Sequence, residues 1–330
     1  MTAFGAAAPV RLDLAGGWTD VPPYSAREGG VVVAAAVQLY AYAEVRPRDR
    51  GYLLTSKDLD HAQEYDGLDA LAGEGPLPLL RAGLRLFRAG PCALNTRSDA
   101  PPGSGLGSSG AIDVALVAAL AAASGREPPT REIADLACRL EGQEAGIPGG
   151  RQDQFTAAFG GFLRLGFRDP EAVVESIPLD SDFAAELARR MLLCYTGASR
   201  FSGDTIGRVM RAYERGEAAI AGALDGLREA AVAMDDALRA GDFSRIGALL
   251  SENWRLQQRL DAGMSTPAMR RLEAAMQDAG CLGGKAAGSG AGGSMFFLGP
   301  DDPGPARDAA ARLGMRLLPV RWASSGVRPC

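Results

Sequence analysis

The chain reads as a two-domain α/β (α+β) protein, and three observations predict it. It has 330 residues, 47% of them apolar, which favours two domains over one. Up to about residue 185, β-branched runs with a period of two alternate with helical patterns. From 202 to 279 the pattern is almost wholly helical, with Ala, Leu, Met and Arg returning at three and four. That change of texture sets the expected division, 1–185 for the first domain and 186–330 for the second.

Taken in order, residues 29–46 (GGVVVAAAVQLYAYAEVR) predict one strand or two in a mixed sheet, and GYLLTSKD a further short strand. KDLDHAQEY is polar and reads as a loop or helix start, which makes His61 a solvated surface group. Residues 77–90 carry Leu, Ala and Phe at helical spacing and stop at Gly90, and PCALNTRSDA alternates as a strand. AIDVALVAALAAASG predicts a helix buried on most sides and ended by Gly125. TREIADLACRLEGQEAGI predicts a second helix with Thr130 as its N-cap. PGGRQDQFTAAFGG is a loop and short helix between glycine pairs, and FLRLGF with VVESIPL a hairpin. MLLCYTG is a strand. After the helical stretch, CLGGKAAGSGAGGSMFFLG is a glycine-rich loop running into an apolar strand, and PGPARDAAARLGMRLLPVRW a helix then a strand.

The bulk numbers exclude several classes of function. A formal charge of −5 provides no basic field for nucleic acid or an anionic membrane. The single histidine cannot form a multi-histidine metal site, and its reading as a solvated surface group argues against a histidine-based triad, so a general base is expected to be a carboxylate, tyrosine or lysine. The five cysteines are odd in number and widely spread, without a Cys-x-x-Cys spacing, which suits a reducing compartment. No signal-like leader and no apolar run of membrane-spanning length is seen, so the expected location is the cytoplasm. Lysine occurs only as Lys57 and Lys285, and Lys285 stands out inside a glycine-rich loop.

Three segments carry chemistry. PPGSGLGSSGA, residues 101–111, places four glycines and three serines just before the apolar helix. Glycine lets backbone amides approach an anion, and the helix start adds its unpaired amides and positive dipole end. No P-loop lysine is present, but Ser104, Ser108 and Ser109 supply hydroxyls, and a serine at a helix start can ligate Mg2+. RLEGQEAGIPGGRQDQF sets Glu141 twelve residues before Asp153, a carboxylate for a metal and one for an attacking hydroxyl. Spacing alone leaves open whether Glu141, Gln143 and Glu144 merely solvate a helix face. APVRLDLAGGWTD gathers Arg11, Asp13 and Asp20 near Gly16–Gly17, which suits a polyol or sugar but also fits surface charges flanking an edge strand.

Together these segments resemble the GHMP kinase family over the whole chain and in the family's order. PVRLDLAGGWTDVPPY resembles the first family motif, PPGSGLGSSGA the phosphate loop, KAAGSGAGGSMFFL the third motif, and GGRQDQFTAAFGG the segment with the catalytic aspartate of its sugar kinases. The resemblance implies an N-terminal half like domain 2 of ribosomal protein S5, a ferredoxin-like C-terminal half, and a site between them. It implies ATP held by Pro102, Gly103, Ser104, Gly105, Leu106, Gly107, Ser108 and Ser109, with Ser56 and Lys57 at the nucleoside. It implies Mg2+ on Ser109 and Glu141, Asp153 as base, and Arg11 steadying Asp153 and the reacting hydroxyl. Asp20, Gly17, Trp18 and Gly150 would line the sugar, and Arg151, Arg200 and Lys285 are candidates for a substrate phosphate. Galactokinases carry Glu-His where this chain has Gly17–Trp18, and the third motif carries Ser294 where the family has glycine. LAGGWTDVPPY, GGRQDQF and YTGASRFSGDTI resemble the members that phosphorylate the anomeric hydroxyl of a heptose 7-phosphate, on a route to a GDP-activated heptose for capsule. A fucokinase-like enzyme and a silent ATP and sugar sensor are the alternatives. The expected partners are a sugar phosphate and ATP, and a homodimer stays open.

Overall fold

The computed structural model describes residues 2–197 and 203–330. The first sheet is built from β1 (Phe4–Ala15), β2 (Gly30–Pro47), β3 (Tyr52–Ser56), β4 (His61–Tyr65), β5 (Cys92–Ser98), β6 (Phe162–Arg168) and β7 (Glu171–Ser176). Its path runs β1-β2-β5-β3-β4, with β6 and then β7 added on β2. β2 is one strand with two jobs: residues 30–35 pair with β6 and residues 41–47 pair with β5. Among the described strands only β3 and β5 run parallel. His61 opens the edge strand β4 opposite Ser56, so it belongs to a strand and not to a loop or helix start.

The helices of this half are α1 (Tyr24–Arg27), α2 (Pro78–Leu86), α3 (Ser108–Ala123), α4 (Thr130–Arg139) and α5 (Gln152–Phe159). α3 lies across β1 and β2 and is buried on most sides, as its nearly all-apolar sequence requires. Thr130 is the first helical residue of α4 and not its cap; Pro129 precedes it, extended, and no side chain caps the helix. After α4 the chain widens over Leu140–Glu144, where the Ala145 amide donates to the Leu140 carbonyl at 2.9 Å, five residues back.

The helix α6 (Ser181–Arg190) lies where the sequence showed only a change of texture; the Asp180 carboxylate caps it by accepting from the amides of Asp182 and Phe183. The second sheet contains β8 (Met191–Tyr195), β9 (Gly283–Ala286), β10 (Ser294–Leu298) and β11 (Arg316–Leu318), all antiparallel in the order β11-β8-β10-β9. The helical region resolves into α7 (Gly203–Glu214), α8 (Ala218–Ala240), α9 (Phe243–Leu260) and α10 (Pro267–Asp278), with α11 (Gly304–Arg312) after the second sheet's β10. β12 (Arg328–Pro329) returns to the first sheet and pairs with Ala6 and Ala7 of β1. β1 therefore has neighbours on both sides and is buried from Ala6 onward. α8 and α9 also pack against β1, so the junction of the two halves lies over that strand. Among the described residues no helix is long and apolar enough to cross a membrane.

Candidate active site

β5 delivers the chain into the glycine-serine loop, and β1 ties the loop down through the Arg11 amide, which donates to the Leu106 carbonyl at 2.9 Å. Ser104 and Leu106 are buried, whereas Pro102, Gly103 and Ser109 are exposed. The loop is thus anchored from beneath and open above. α3 begins at Ser108 with no side-chain cap, leaving its first amides and dipole to an external acceptor. Two glycines are demanded by neighbours. A Cβ on Gly107, which has φ +74°, would lie 3.0 Å from Asp153 Cγ and 3.2 Å from Arg11 Cγ. One on Gly110 would lie 2.5 Å from Asp153 Cβ.

Asp153 stands in the first turn of α5, and Arg11 Nε donates to its Oδ1 at 2.7 Å. Arg11 is nearly buried, while about a quarter of the Asp153 side chain is exposed, 23%. Arg11 Nη1 donates to the Gly105 carbonyl at 2.7 Å and to the Ala287 carbonyl at 3.0 Å. One guanidinium so joins the acid, the phosphate loop and the C-terminal glycine loop. The two loops meet backbone to backbone: a Cβ on Gly293 would fall 2.8 Å from the Gly103 carbonyl oxygen.

Glu141 occupies the widened turn after α4 and is buried, so it does not solvate a helix face; Gln143 is exposed and Glu144 partly so. Ser109 lies near its carboxylate and favours the charged form, and Gln154 Nε2 donates to Oε2 at 2.6 Å. Burial, with Asp153 nearby, pushes the Glu141 carboxyl up to about 7. Asp113, in α3, is fully buried beside Glu141 and lies well above the usual carboxylate range, chiefly from burial. Glu141 has neutral partners and an acidic neighbourhood. That excess of negative charge and hard oxygen donors fits a divalent cation such as Mg2+ on Ser109 and Glu141.

The sugar-motif residues are placed differently from their sequence reading. Arg11 and Asp13 are buried and flank no exposed edge. Lys285 is fully buried, and its Nζ donates to the Asp13 carbonyl at 2.6 Å and to Oδ2 at 2.8 Å. Its ammonium is spent across the junction of the halves and does not grip a substrate phosphate. Burial lowers its proton affinity, and Asp13 opposes that. Asp13 Oδ1 also accepts the Gly17 amide at 3.3 Å. Asp20 is 1% exposed, accepting from the Gln152 amide at 3.0 Å and lying where a Cβ on Gly150 would fall. It braces the Gly150–Gln152 turn instead of facing open space, and burial pushes its carboxyl up to about 6. The Trp18 ring is buried in the C-terminal core, so only the backbone of Gly17–Trp18, at φ +84° for Trp18, is left to meet a ligand.

Arg151 pairs with Asp169 at 2.5 Å and donates to the carbonyls of Pro170 and Glu171, so it clamps the β6–β7 turn and is not free for a phosphate. Arg200 lies outside the described residues. Ser56 is buried and donates to Asp58, while Lys57 is exposed and its amide donates to Thr96 of β5, near the entry to the phosphate loop. Sequence reasoning did not single out Asp113, Gln152 or Gln154. A lone acid within the apolar run AIDVALVAALAAA was the available signal for Asp113.

Residues 78–161 match the family model for the GHMP kinases N terminal domain and residues 234–314 that for GHMP kinases C terminal. The chain is 31% identical over 298 residues to D-glycero-alpha-D-manno-heptose 7-phosphate kinase of Campylobacter jejuni, covering 88% of this chain and 87% of that protein. It is 28% identical over 327 residues to L-fucokinase/L-fucose-1-P guanylyltransferase of Bacteroides fragilis, covering 89% of this chain but 34% of that longer protein. The crystal structure of a D-glycero-D-manno-heptose 1-phosphate kinase from Bacteriodes thetaiotaomicron superposes with a TM-score of 0.80 at 25% identity, covering 99% of this chain and 98% of that one.

Proposed function

The chain belongs to the GHMP kinase family and is a sugar kinase, a phosphotransferase with an alcohol acceptor, and on that premise we propose that it transfers the γ-phosphoryl of ATP to the anomeric hydroxyl of D-glycero-D-manno-heptose 7-phosphate. The product is then the 1,7-bisphosphate, feeding synthesis of a GDP-activated heptose. The observation that carries the reading is the Arg11–Asp153 pair, 2.7 Å long and partly open, set against the glycine-serine loop. The Campylobacter jejuni relative supports the choice of sugar.

In this mechanism the amides at the start of α3 and the loop from Pro102 to Ser109 take the phosphates of ATP, and the Ser56–Lys57 end of β3 borders the nucleoside. Ser109 and Glu141 hold Mg2+, which when bound offsets charge on the phosphates. Asp153 accepts the proton of the sugar O1 as that oxygen attacks in line, and the leaving group is ADP. Arg11 keeps Asp153 aimed, and because it also holds Gly105 it couples the base to the loop. Gly17 and Gly150 border the sugar through their backbones. With Arg151 and Lys285 committed within the fold, Arg200 is the remaining candidate for the substrate phosphate. The division near residue 185 places the phosphate loop, Glu141 and Asp153 in the first domain and Ala287 in the second.

An ADP-release assay with heptose 7-phosphate, heptose and fucose tests this. Loss of the terminal phosphate should lower kcat/KM by roughly ten- to a hundredfold, the worth of charge-assisted hydrogen bonds. Phosphorus NMR should place the new phosphate on O1. Turnover of fucose equal to that of heptose 7-phosphate selects the fucokinase-like alternative, and no ADP release with any sugar selects a sensor.

A further inference from the structure

The phosphoryl-transfer reading leaves one buried acid unused. Asp113 lies one turn along α3 from Ser109, and neither of its carboxylate oxygens has a hydrogen bond of good geometry. Beside it is the side-chain amide of Gln154, 1% exposed, whose Nε2 donates to Glu141 Oε2 at 2.6 Å. An amide nitrogen carries two hydrogens, so one nitrogen can serve both acids. An apolar residue would fill the place of Asp113 at lower cost, since a buried acid loses its hydration. α3 thus carries Ser109 and Asp113, and α5 carries Asp153 and Gln154, so two helix starts hold both the base and the supports of Glu141.

We propose that Asp113 and Gln154 are positioning residues for the divalent cation: Asp113 anchors the Gln154 amide, and the amide fixes the Glu141 carboxylate beside Ser109. The inference rests on the kinase reading above. Neither residue touches substrate. Both act through Glu141, as the hydrogen-bonded supports of metal ligands do elsewhere.

The test uses Mn2+ as the probe, with free Mn2+ counted by electron paramagnetic resonance in the presence of ADP, so it needs no sugar and no turnover. Gln154→Met should weaken Mn2+ binding by about 10- to 100-fold, the usual effect of removing such a support. ADP affinity in EDTA should not change. Asp113→Ala removes the polar anchor without adding bulk and should weaken Mn2+ in the same way. Asp113→Asn keeps a polar group for the amide and should stay close to wild type. A packing role for Asp113 predicts that Asn and Ala change only urea stability, so wild-type Mn2+ affinity in a folded Asp113→Ala protein overturns the proposal. So does wild-type Mn2+ affinity in a folded Gln154→Met protein. If wild type with ADP binds no Mn2+, the metal reading and this inference fall together; if wild type binds and the variants match it, only the inference falls.

Discussion

Replacing Gly110 by alanine puts a methyl group against the base. Its Cβ would lie 2.5 Å from Asp153 Cβ, 3.1 Å from the Gln154 amide nitrogen and 3.2 Å from the Asp153 carbonyl carbon. Carbon atoms in ordinary contact sit about 3.5–4.0 Å apart. About 1 Å must therefore be found between the starts of α3 and α5. The obstacles are backbone and Cβ atoms, so no flexible tip can turn aside. Such overpacking costs about 1–3 kcal/mol of stability. A displacement near 1 Å in a reacting group costs about 10²-fold in rate. Gly110→Ala should then fold with a lower urea midpoint, bind ADP through the loop, and lose about 10²-fold in kcat by ADP release. The control is Gly222→Ala in α8, where no atom lies within 4 Å of the added Cβ. It should gain about 0.5–1 kcal/mol with kcat unchanged. A folded Gly110→Ala enzyme with undiminished kcat would refute the argument that this glycine exists to admit Asp153.

Asp153→Asn removes the proton acceptor and leaves the shape, so kcat should fall by about 10²–10⁴-fold while calorimetric ADP affinity holds; undiminished turnover removes Asp153 from the chemistry. Lys285→Met strands the buried Asp13 carboxylate, which should cost about 3–5 kcal/mol in urea unfolding, and adding Asp13→Asn should recover part of it; equal stability of the single variant and wild type contradicts the buried pair. Asp20 has its carboxyl raised from 3.8 to about 6 by burial, so between those values the folded state binds more protons than the unfolded one. Its contribution to stability is whole below the unfolded value and is lost as pH rises through about 6. Asp20→Asn lacks that loss, so its urea stability relative to wild type should be more favourable at pH 7 than at pH 4; a flat difference argues against the shift.

Within the site, legibility followed distance along the chain. Gly103, Gly105, Gly107 and Gly110 with their serines announce a loop that must admit an anion, because glycine acts through its own φ and its own missing side chain. Asp153 and Glu141 were legible as chemical types, but whether Glu141 was wetted or buried was not. Its burial depends on the widened turn after α4 and on packing against α5, neither of which is a local property of LEGQE. Asp113 was not singled out, since what an acid does inside an apolar helix depends on the partner another helix brings.

The sequence by itself determined much of the succession of strands and helices, though not β1, β4 or α6, together with the two glycine-rich loops and the acids and arginine available for chemistry. Periodicity and backbone freedom are written residue by residue, so these needed no tertiary information. Tertiary structure alone decided which charges are spent on each other. Lys285 reaches Asp13 across 272 residues, Arg151 turns to the β6–β7 turn, and β12 comes back to β1 from the far end of the chain. A long-range ion pair forms only where packing brings both groups together and excludes water from them, and that exclusion is a property of the assembled core, not of either segment.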